Sequence, residues 1–89
     1  MASIVSVIIP TYNRAYCISR AIDSVLKQSF QDFEIIVIDN NSTDNTKEII
    51  TSYKNPKINY NLIDNNGVIS ASRNKGISLS NSKFIAFLD

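Results

Sequence analysis

The stretch Ile4–Arg14, which reads IVSVIIPTYNR, decides the fold that this sequence predicts. Its first six residues are β-branched or apolar apart from one serine, which is typical of a strand buried on both faces of a parallel sheet. Pro10 is predicted to end this strand, and a short polar loop follows it. Beyond the loop, apolar residues recur at the spacing of one helical stripe, namely Ile18, Ala21, Ile22, Val25 and Leu26.

The rest of the chain continues this alternation of apolar runs and helical patterns. Further strands are predicted at Glu34–Ile38, Lys57–Leu62 and Phe84–Leu88, with helices after Asp44 and from about Val68 to Leu79. Strands that alternate with helices indicate a mostly parallel sheet with right-handed crossovers. We therefore predict the α/β class, with a Rossmann-like, mostly parallel sheet of about four strands and helices on both faces.

Three of these segments carry more specific predictions. Lys57–Leu62 alternates apolar and polar residues, which indicates a half-exposed strand near a sheet edge. The apolar run Phe84–Leu88 predicts a fully buried strand. Asn65–Gly67 has the composition of a turn. The helix after it should lie close to the sheet, because it is rich in small residues, namely Ser70, Ala71, Ser72 and Gly76.

Composition and charge exclude several classes of function. The 89 residues carry nine basic and eight acidic side chains, so charge gives no reason to expect a nucleic acid or an anionic membrane as partner. Cys17, the only cysteine, cannot form an internal disulfide, and without histidine any acid–base or metal chemistry must rest on carboxylates. We see no targeting segment or membrane span and expect a cytoplasmic location, with membrane association of a full-length protein left open.

The first loop after a strand, Pro10–Arg14, contains no glycine. Dinucleotide-binding corners and Walker phosphate loops both need glycines here, because the backbone must approach a phosphate closely. This loop instead offers a hydroxyl, an aromatic ring and an amide at Thr11, Tyr12 and Asn13. These groups suit stacking and hydrogen bonding with a base or a ribose. Since open α/β sheets bind ligands beyond the carboxyl ends of their strands, the loop is a candidate binding site.

Three charged residues near the same edge are further candidates. Asp39 ends the second strand, and we favour a ligand role over a helix cap, because residues 42–44 already supply capping side chains. Arg73 lies on the third helix, where its guanidinium suits a diphosphate or a base, although the spacing is equally typical of a solvated residue. Asp89 follows the last strand, and its position alone says little about its role.

Four segments resemble motifs of the inverting family-two glycosyltransferases of the GT-A fold. Val5–Arg14 is similar to their opening strand and loop, and Val37–Asp44 resembles their second motif. Gly67–Ile77 resembles their third motif, and Phe84–Asp89 is similar to the strand that leads into their Asp-x-Asp metal motif. The four motifs occur in the right order and at the right spacing, and together they cover almost the whole chain.

The resemblance implies a role for each candidate in the nucleotide pocket. Asp39 would hold the base, usually uracil, another pyrimidine or guanine, and Arg73 would lie near the base or the diphosphate. The pocket itself would be lined by Pro10, Thr11, Tyr12 and Arg14. The second motif departs from the usual Asp-Asp-Gly-Ser, because Asn40 replaces an acid and Asn41 replaces glycine. Asn41 can adopt the left-handed conformation that glycine supplies, at modest cost.

The resemblance also implies a metal and a partner. Asp89 would be the first acid of Asp-x-Asp, in contact with ribose or with the Mn²⁺ or Mg²⁺ ion that binds the donor's diphosphate in the full-length enzyme. The donor would be a nucleoside-diphosphate sugar, and a later Asp or Glu would activate a hydroxyl of a glycan or lipid-linked acceptor. The reaction would invert the anomeric centre and serve the synthesis of a cell-surface polysaccharide.

We interpret residues 1–89 as the N-terminal, sugar-nucleotide-binding portion of a catalytic domain that is truncated at the Asp-x-Asp motif. We expect this portion alone to hold no metal and to be inactive. The alternative is a non-catalytic nucleotide-binding or structural α/β domain. Because the sequence is cut after this strand, we also expect residues 83–88 to present an unpaired apolar edge, which invites self-association.

Overall fold

A computed structural model of the chain describes residues 3–64 and 69–88. Four parallel strands form one sheet in the order β3-β2-β1-β4. The elements in chain order are β1 (Val5–Thr11), α1 (Ala15–Leu26), β2 (Phe33–Asp39), α2 (Thr46–Ser52), β3 (Ile58–Leu62), α3 (Ile69–Leu79) and β4 (Phe84–Phe87). The predicted fold class is confirmed, because a parallel α/β sheet carries helices on both faces.

The prediction that Pro10 ends the first strand is wrong, since β1 continues to Thr11. In a parallel strand alternate residues direct their backbone groups to opposite sides. The N–H of Leu88 donates to the carbonyl of Ile8, so Pro10, two residues farther on, also faces the β4 side, beyond the end of that strand. The missing N–H of Pro10 therefore costs no hydrogen bond in the ladder that joins β1 to β2.

Two helices cover one face of the sheet and enclose the larger core. Ile18, Ile22 and Val25 of α1 are buried there, as their predicted stripe requires. The helices are also joined by a hydrogen bond of 2.7 Å from the Tyr53 hydroxyl to Asp23. The core consists of these side chains packed with Ile50 of α2 and with Ile9, Phe33, Ile35 and Val37 of the two central strands.

The third helix covers the opposite face and lies close to β1, as its small residues predict. A Cβ atom added at Gly76 would come within 2.5 Å of the Ile8 Cγ2 atom. Ile8 is fully buried, with Ile36 and Ile38 of β2 beside it. Ser72 is buried on the same helix. Glycine at position 76 therefore fixes the spacing between α3 and the sheet.

The two edge strands turned out differently from one another. β3 is the half-exposed edge strand that the alternating pattern predicts. The prediction that Phe84–Leu88 is fully buried is wrong, because all four residues of β4 are exposed, Phe84 by 56%. β4 is the outermost strand, and α3 packs over β1 and β2 instead of over it.

Some predictions lie outside the described residues. These are the turn at Asn65–Gly67, the start of the third helix at Val68, and the position of Asp89. Within residues 3–64 and 69–88, no helix has the length and the apolar character needed to cross a membrane.

Candidate functional site

Two loops meet at the carboxyl ends of β1 and β2, and Asn13 joins them. Its backbone has a φ angle of 51°, in the left-handed region that asparagine tolerates better than most residues. Its side-chain carbonyl accepts hydrogen bonds from the backbone N–H of Thr43 at 2.7 Å and of Asp44 at 3.4 Å. Its own N–H donates to the Ser42 hydroxyl at 2.9 Å. Asn41 has a φ of 56°, as predicted for the position that is glycine in the family motif.

The carboxylate of Asp44 connects the starts of two helices. One oxygen accepts from the N–H and the hydroxyl of Thr46 at the start of α2, and the other accepts from the N–H of Ala15 at the start of α1. The hydrogen bond from the Thr46 hydroxyl lowers the pKa of Asp44, against an opposing contribution from desolvation. The capping role predicted for residues 42–44 is thus filled mainly by Asp44.

Asp39 is 1% exposed, and both of its carboxylate oxygens are engaged. Oδ1 accepts from the N–H of Ser42 at 3.0 Å and from its hydroxyl at 2.5 Å, while Oδ2 accepts from the Tyr60 hydroxyl at 2.5 Å. Burial and this contact with Asp39 raise the pKa of Tyr60 well above its usual value, so the phenol remains a donor. Asp39 therefore fastens the β2–α2 loop to β3. Its predicted contact with a base remains a prediction.

An open cleft of about 400 Å³ lies between α1 and the carboxyl end of β1. Pro10, Thr11 and Arg14 line it together, and Leu88 lines it from the β4 side. Tyr12 is 52% exposed, so its ring is free to stack on a ligand. The structure thus brings the four predicted residues of the first loop to one edge of the sheet. Thr11 is also the register partner of Asp39 in the neighbouring strand.

Arg73 lies apart from this cleft, on the helix that covers the other face of the sheet. Its guanidinium carbon is 5.8 Å from the centre of the Phe87 ring, in cation–π range. Asp89, the predicted metal contact, is outside the described residues. Within the described ranges, no three His, Cys, Asp or Glu side chains are grouped closely enough to hold a metal ion. These ranges therefore do not by themselves form the predicted metal site.

The sequence suggested Asn13 only as a group that bonds a ligand and assigned no role to Tyr60, although both organise this edge. The signal for Asn13 was its place in the loop directly after a strand, where asparagine often adopts the left-handed conformation of a turn. For Tyr60, the alternating pattern of the strand indicated only an inward-facing position near the sheet edge. Its contact with Asp39 joins residues 21 positions apart, which no local pattern predicts.

A parallel α/β sheet with polar loops at its carboxyl edge defines a class of ligand-binding domains. Within that class, the family model described as Glycosyl transferase family 2 matches residues 6–89. The chain therefore belongs to glycosyl transferase family 2, and the resemblance drawn from its four motifs is confirmed.

Known relatives agree with this assignment. The chain is 38% identical over 91 residues to a GalNAc(5)-diNAcBac-PP-undecaprenol beta-1,3-glucosyltransferase of Campylobacter jejuni, a match that covers 94% of this chain and 28% of the relative. The chain spans between 12% and 34% of the length of the curated relatives it resembles.

Two solved structures share the fold. S. aureus TarS in complex with UDP has a TM-score of 0.80 and 33% identity, over 100% of this chain and 27% of that one. A mannosyltransferase from Pyrobaculum calidifontis, in complex with GDP-Man and Mn²⁺, has a TM-score of 0.78 and 24% identity, over 91% of this chain and 25% of that one. At that identity the mannosyltransferase supports the fold alone.

Proposed function

We propose that this chain forms the donor-binding portion of a glycosyltransferase that transfers a sugar from a nucleoside-diphosphate sugar to an acceptor hydroxyl with inversion. The observation that carries the proposal is the cleft that Pro10, Thr11 and Arg14 line at the carboxyl end of β1, in a chain that belongs to this family along almost all its length. UDP bound to a relative of the same fold supports a nucleotide donor.

Each residue of the first loop has a role that its chemistry fits. The exposed ring of Tyr12 stacks on the base, and the Arg14 guanidinium attracts the negative charge of the diphosphate.

The carboxylate of Asp39 has about four lone-pair directions, and three of them accept hydrogen bonds from Ser42 and Tyr60. One direction on Oδ2 is left for a base N–H, and a base reaches it only where the loops around this buried carboxylate open. Arg73 lies on the helix that covers the other face of the sheet, so it would contact the donor only from that face.

The metal and the catalytic base are proposed for a longer protein that contains residues 1–89. Mn²⁺ or Mg²⁺ would neutralise charge on the departing diphosphate, with Asp89 among its ligands. Within the described residues, no three His, Cys, Asp or Glu side chains are grouped closely enough to hold this ion. We expect the 89-residue chain alone to transfer no sugar, because neither a second motif acid nor a base for the acceptor is identified in it.

The setting of the reaction is proposed from the family. The acceptor would be a glycan or a lipid-linked sugar of a cell-surface polysaccharide, and the location would be cytoplasmic, at the membrane in a longer protein. The competing proposal is a non-catalytic nucleotide-binding or structural domain. The observation that favours it is that Asp39 is buried and already accepts hydrogen bonds from Ser42 and Tyr60, because a carboxylate that serves as a structural anchor needs no ligand.

A titration of the ¹⁵N-labelled chain with UDP, followed by NMR, tests the placement of the donor. We expect weak binding that shifts the backbone signals of residues 10–14. Tyr12→Ala should abolish these shifts, whereas Tyr16→Ala, which removes an aromatic ring that is 80% exposed four residues farther along the chain, should preserve them. Shifts confined to other regions, or equal effects of the two variants, contradict the proposed donor site.

Catalysis needs a separate measurement. The protein is incubated with UDP-, GDP- and dTDP-sugars, Mn²⁺ and acceptor sugars, and transfer of the donor sugar to the acceptor is followed together with release of the free nucleoside diphosphate. Transfer by the 89-residue chain itself would show that the expected inactivity is wrong. Binding without transfer in a longer protein that carries residues 1–89 would favour the non-catalytic module.

We also propose that the chain associates with itself through residues 83–88. The support is the exposure of every residue of β4, an outermost strand.

A further inference from the structure

The backbone of Asp39 is held from both sides at the end of β2. Its carbonyl accepts a hydrogen bond from the N–H of Ile63 at 2.8 Å, just beyond β3. The next residue, Asn40, donates its N–H to the carbonyl of Thr11 on β1 at 2.9 Å. With the backbone fixed in this way, the direction in which the Asp39 carboxylate points depends on the groups that hold its two oxygens.

Those groups divide the two oxygens of Asp39 unequally. Oδ1 accepts two hydrogen bonds from Ser42, one from its N–H and one from its hydroxyl. Oδ2 accepts one hydrogen bond, from the Tyr60 hydroxyl at 2.5 Å. Since a carboxylate oxygen has about two acceptor directions, Oδ1 is filled and Oδ2 has one direction left. A further donor can therefore reach this carboxylate only at Oδ2, beside the Tyr60 hydroxyl.

Tyr60 can fix Oδ2 firmly because its own ring is held by the core. It is in register with Val37, two residues before Asp39 on β2, and its side chain packs against the larger core. The ring must therefore extend toward the carboxyl edge of the sheet to reach Asp39. Burial and the contact with Asp39 raise the pKa of this phenol, so it stays protonated and donates throughout the physiological range.

A second polar group beside Asp39 indicates that a ligand binds at this place. Thr11 is the register partner of Asp39, so the two side chains lie on the same face of the sheet. The Thr11 side-chain oxygen is buried, and among the described residues it has no hydrogen-bond partner. A buried hydroxyl without a partner is costly, so a bound group that accepts from it is favoured. A ring N–H next to a carbonyl, as in uracil, thymine and guanine, offers a donor to Asp39 and an acceptor to Thr11.

We propose that Tyr60 is a positioning residue of the donor site, which holds Oδ2 of Asp39 so that this oxygen accepts the ring N–H of the donor's base. The Thr11 hydroxyl meets the carbonyl next to that N–H. Tyr60 does not itself touch the base, and it acts by removing the freedom that a carboxylate anchored only at Oδ1 would keep. The inference rests on the proposed function and adds the chemistry that the base must carry, a ring N–H beside a carbonyl.

Tyrosine chemical shifts in the wild-type chain test this arrangement without a mutation. The sequence contains four tyrosines, so ¹³C in the hydroxyl-bearing ring carbon gives four signals. Two probes are titrated and compared at equal occupancy, UDP and 3-methyl-UDP, in which a methyl group replaces the ring N–H. We expect the signal of Tyr12 to shift with both probes and that of Tyr60 to shift with UDP alone. The signals of Tyr16 and Tyr53 should shift with neither.

The outcomes of this titration separate the inference from the proposed function. If UDP leaves the signal of Tyr12 unchanged, the donor site at the first loop is wrong and the inference fails with it. If UDP shifts the signal of Tyr12 but not that of Tyr60, the donor site stands and the role of Tyr60 is overturned. Equal shifts of the Tyr60 signal with both probes also overturn this role, because they would not depend on the ring N–H.

The ratio of the dissociation constants for 3-methyl-UDP and UDP tests the positioning role by mutation. A hydrogen bond to a charged group is strong enough for the wild type to prefer UDP by about tenfold or more. Tyr60→Phe should reduce this preference by about threefold or more, because the variant must order the Asp39 side chain on binding. Tyr53→Phe, which removes a matched contact with Asp23, should leave the preference unchanged.

A purely structural role of Tyr60 predicts a different result for the same variant. Tyr60→Phe would then weaken the binding of both probes by the same factor, and the preference for UDP would stay at its wild-type value. That result overturns the inference and leaves the donor site in place. A wild-type chain that binds both probes equally overturns the inference as well, because Asp39 would then accept no ring N–H.

Discussion

The two neighbours of β1 are both apolar parallel strands, yet they are held very differently. β2 pairs with β1 along seven residues, from Phe33 to Asp39, and lies under helices on both faces. β4 pairs along four residues, and all of them are exposed. An apolar run therefore predicts a strand, but whether that strand is buried depends on what covers it.

The largest expected effect is the difference in the free energy of unfolding between matched substitutions in the two strands. Ile36 of β2 is 1% exposed and Ile85 of β4 is 39% exposed, and both side chains lie on the α3 face. Ile36→Ala should lower the free energy of unfolding by about 2–5 kcal/mol, because it removes buried atoms and leaves a cavity. Ile85→Ala should lower it by less than about 1 kcal/mol. Urea unfolding followed by circular dichroism measures both.

The milder pair Ile36→Val and Ile85→Val keeps the measurement usable if Ile36→Ala does not fold. The first should cost about 1 kcal/mol. Equal losses for the two positions would mean that β4 is covered in solution, by a second copy or otherwise. Repeating the measurement at low and high protein concentration separates these causes.

The next effect concerns the contact by which α3 covers β1. Gly76→Ala should destabilise the chain by about 1–2 kcal/mol, because the added methyl overlaps Ile8, whose fully buried side chain has no space to move. The gain in helix propensity, about 1 kcal/mol, offsets part of this cost. Ser78→Ala, at an exposed position of α3, is the control and should change stability by less than about 0.5 kcal/mol. A stabilised Gly76→Ala would show that α3 stands off the sheet.

The third effect concerns the loops at the carboxyl end of β2. Asn13→Ala should cost about 1–2 kcal/mol, because it removes the acceptor shared by Thr43 and Asp44 and strains a residue at φ 51°. Asn13→Gly removes the same acceptor and relieves the strain, so it should cost less. The difference between the two variants in urea unfolding isolates the backbone contribution. If both variants cost the same, strain contributes nothing at this position.

The sequence could predict most of the fold because β1, α1 and β2 have strong local patterns. Two predictions were wrong because their outcome depended on tertiary contacts, which a local sequence pattern does not contain. The pattern predicts that Pro10 ends the first strand, although that strand continues and Pro10 faces the β4 side beyond the end of β4. The apolar run at 84–88 predicts a buried strand, although burial depends on elements elsewhere in the chain.

The candidate site was predictable to a similar degree. Clustering of the first loop at one sheet edge follows from the topology, so Thr11 and Arg14 could be placed together from the sequence. The contacts of Asp39 could not, because its donor Tyr60 comes from a different strand. Arg73 could be assigned to a helix, but the face of the sheet on which that helix lies is set by the handedness of the crossover and not by local spacing.

The smallest effect is a pH dependence confined to the β2 side. Burial and the contact with Asp39 raise the pKa of Tyr60 above 10.0, the usual value for a tyrosine in an unfolded chain. The folded state therefore retains a proton that the unfolded state loses, so this stabilisation is complete below about pH 10 and declines as the pH rises above it. Tyr60 is partly exposed, so the slope should stay well below the single-proton ceiling of about 1.4 kcal/mol per pH unit.

The measurement is the difference in unfolding free energy between wild type and Tyr60→Phe at pH 8, 10 and 11, so that groups common to both proteins cancel. This difference should shrink above pH 10. Tyr53→Phe provides a matched comparison on the same face, because burial and Asp23 also raise the pKa of Tyr53. Its smaller rise predicts a weaker trend in the same direction. A difference that stays constant with pH for Tyr60→Phe would mean that the Tyr60–Asp39 contact does not stabilise the folded chain.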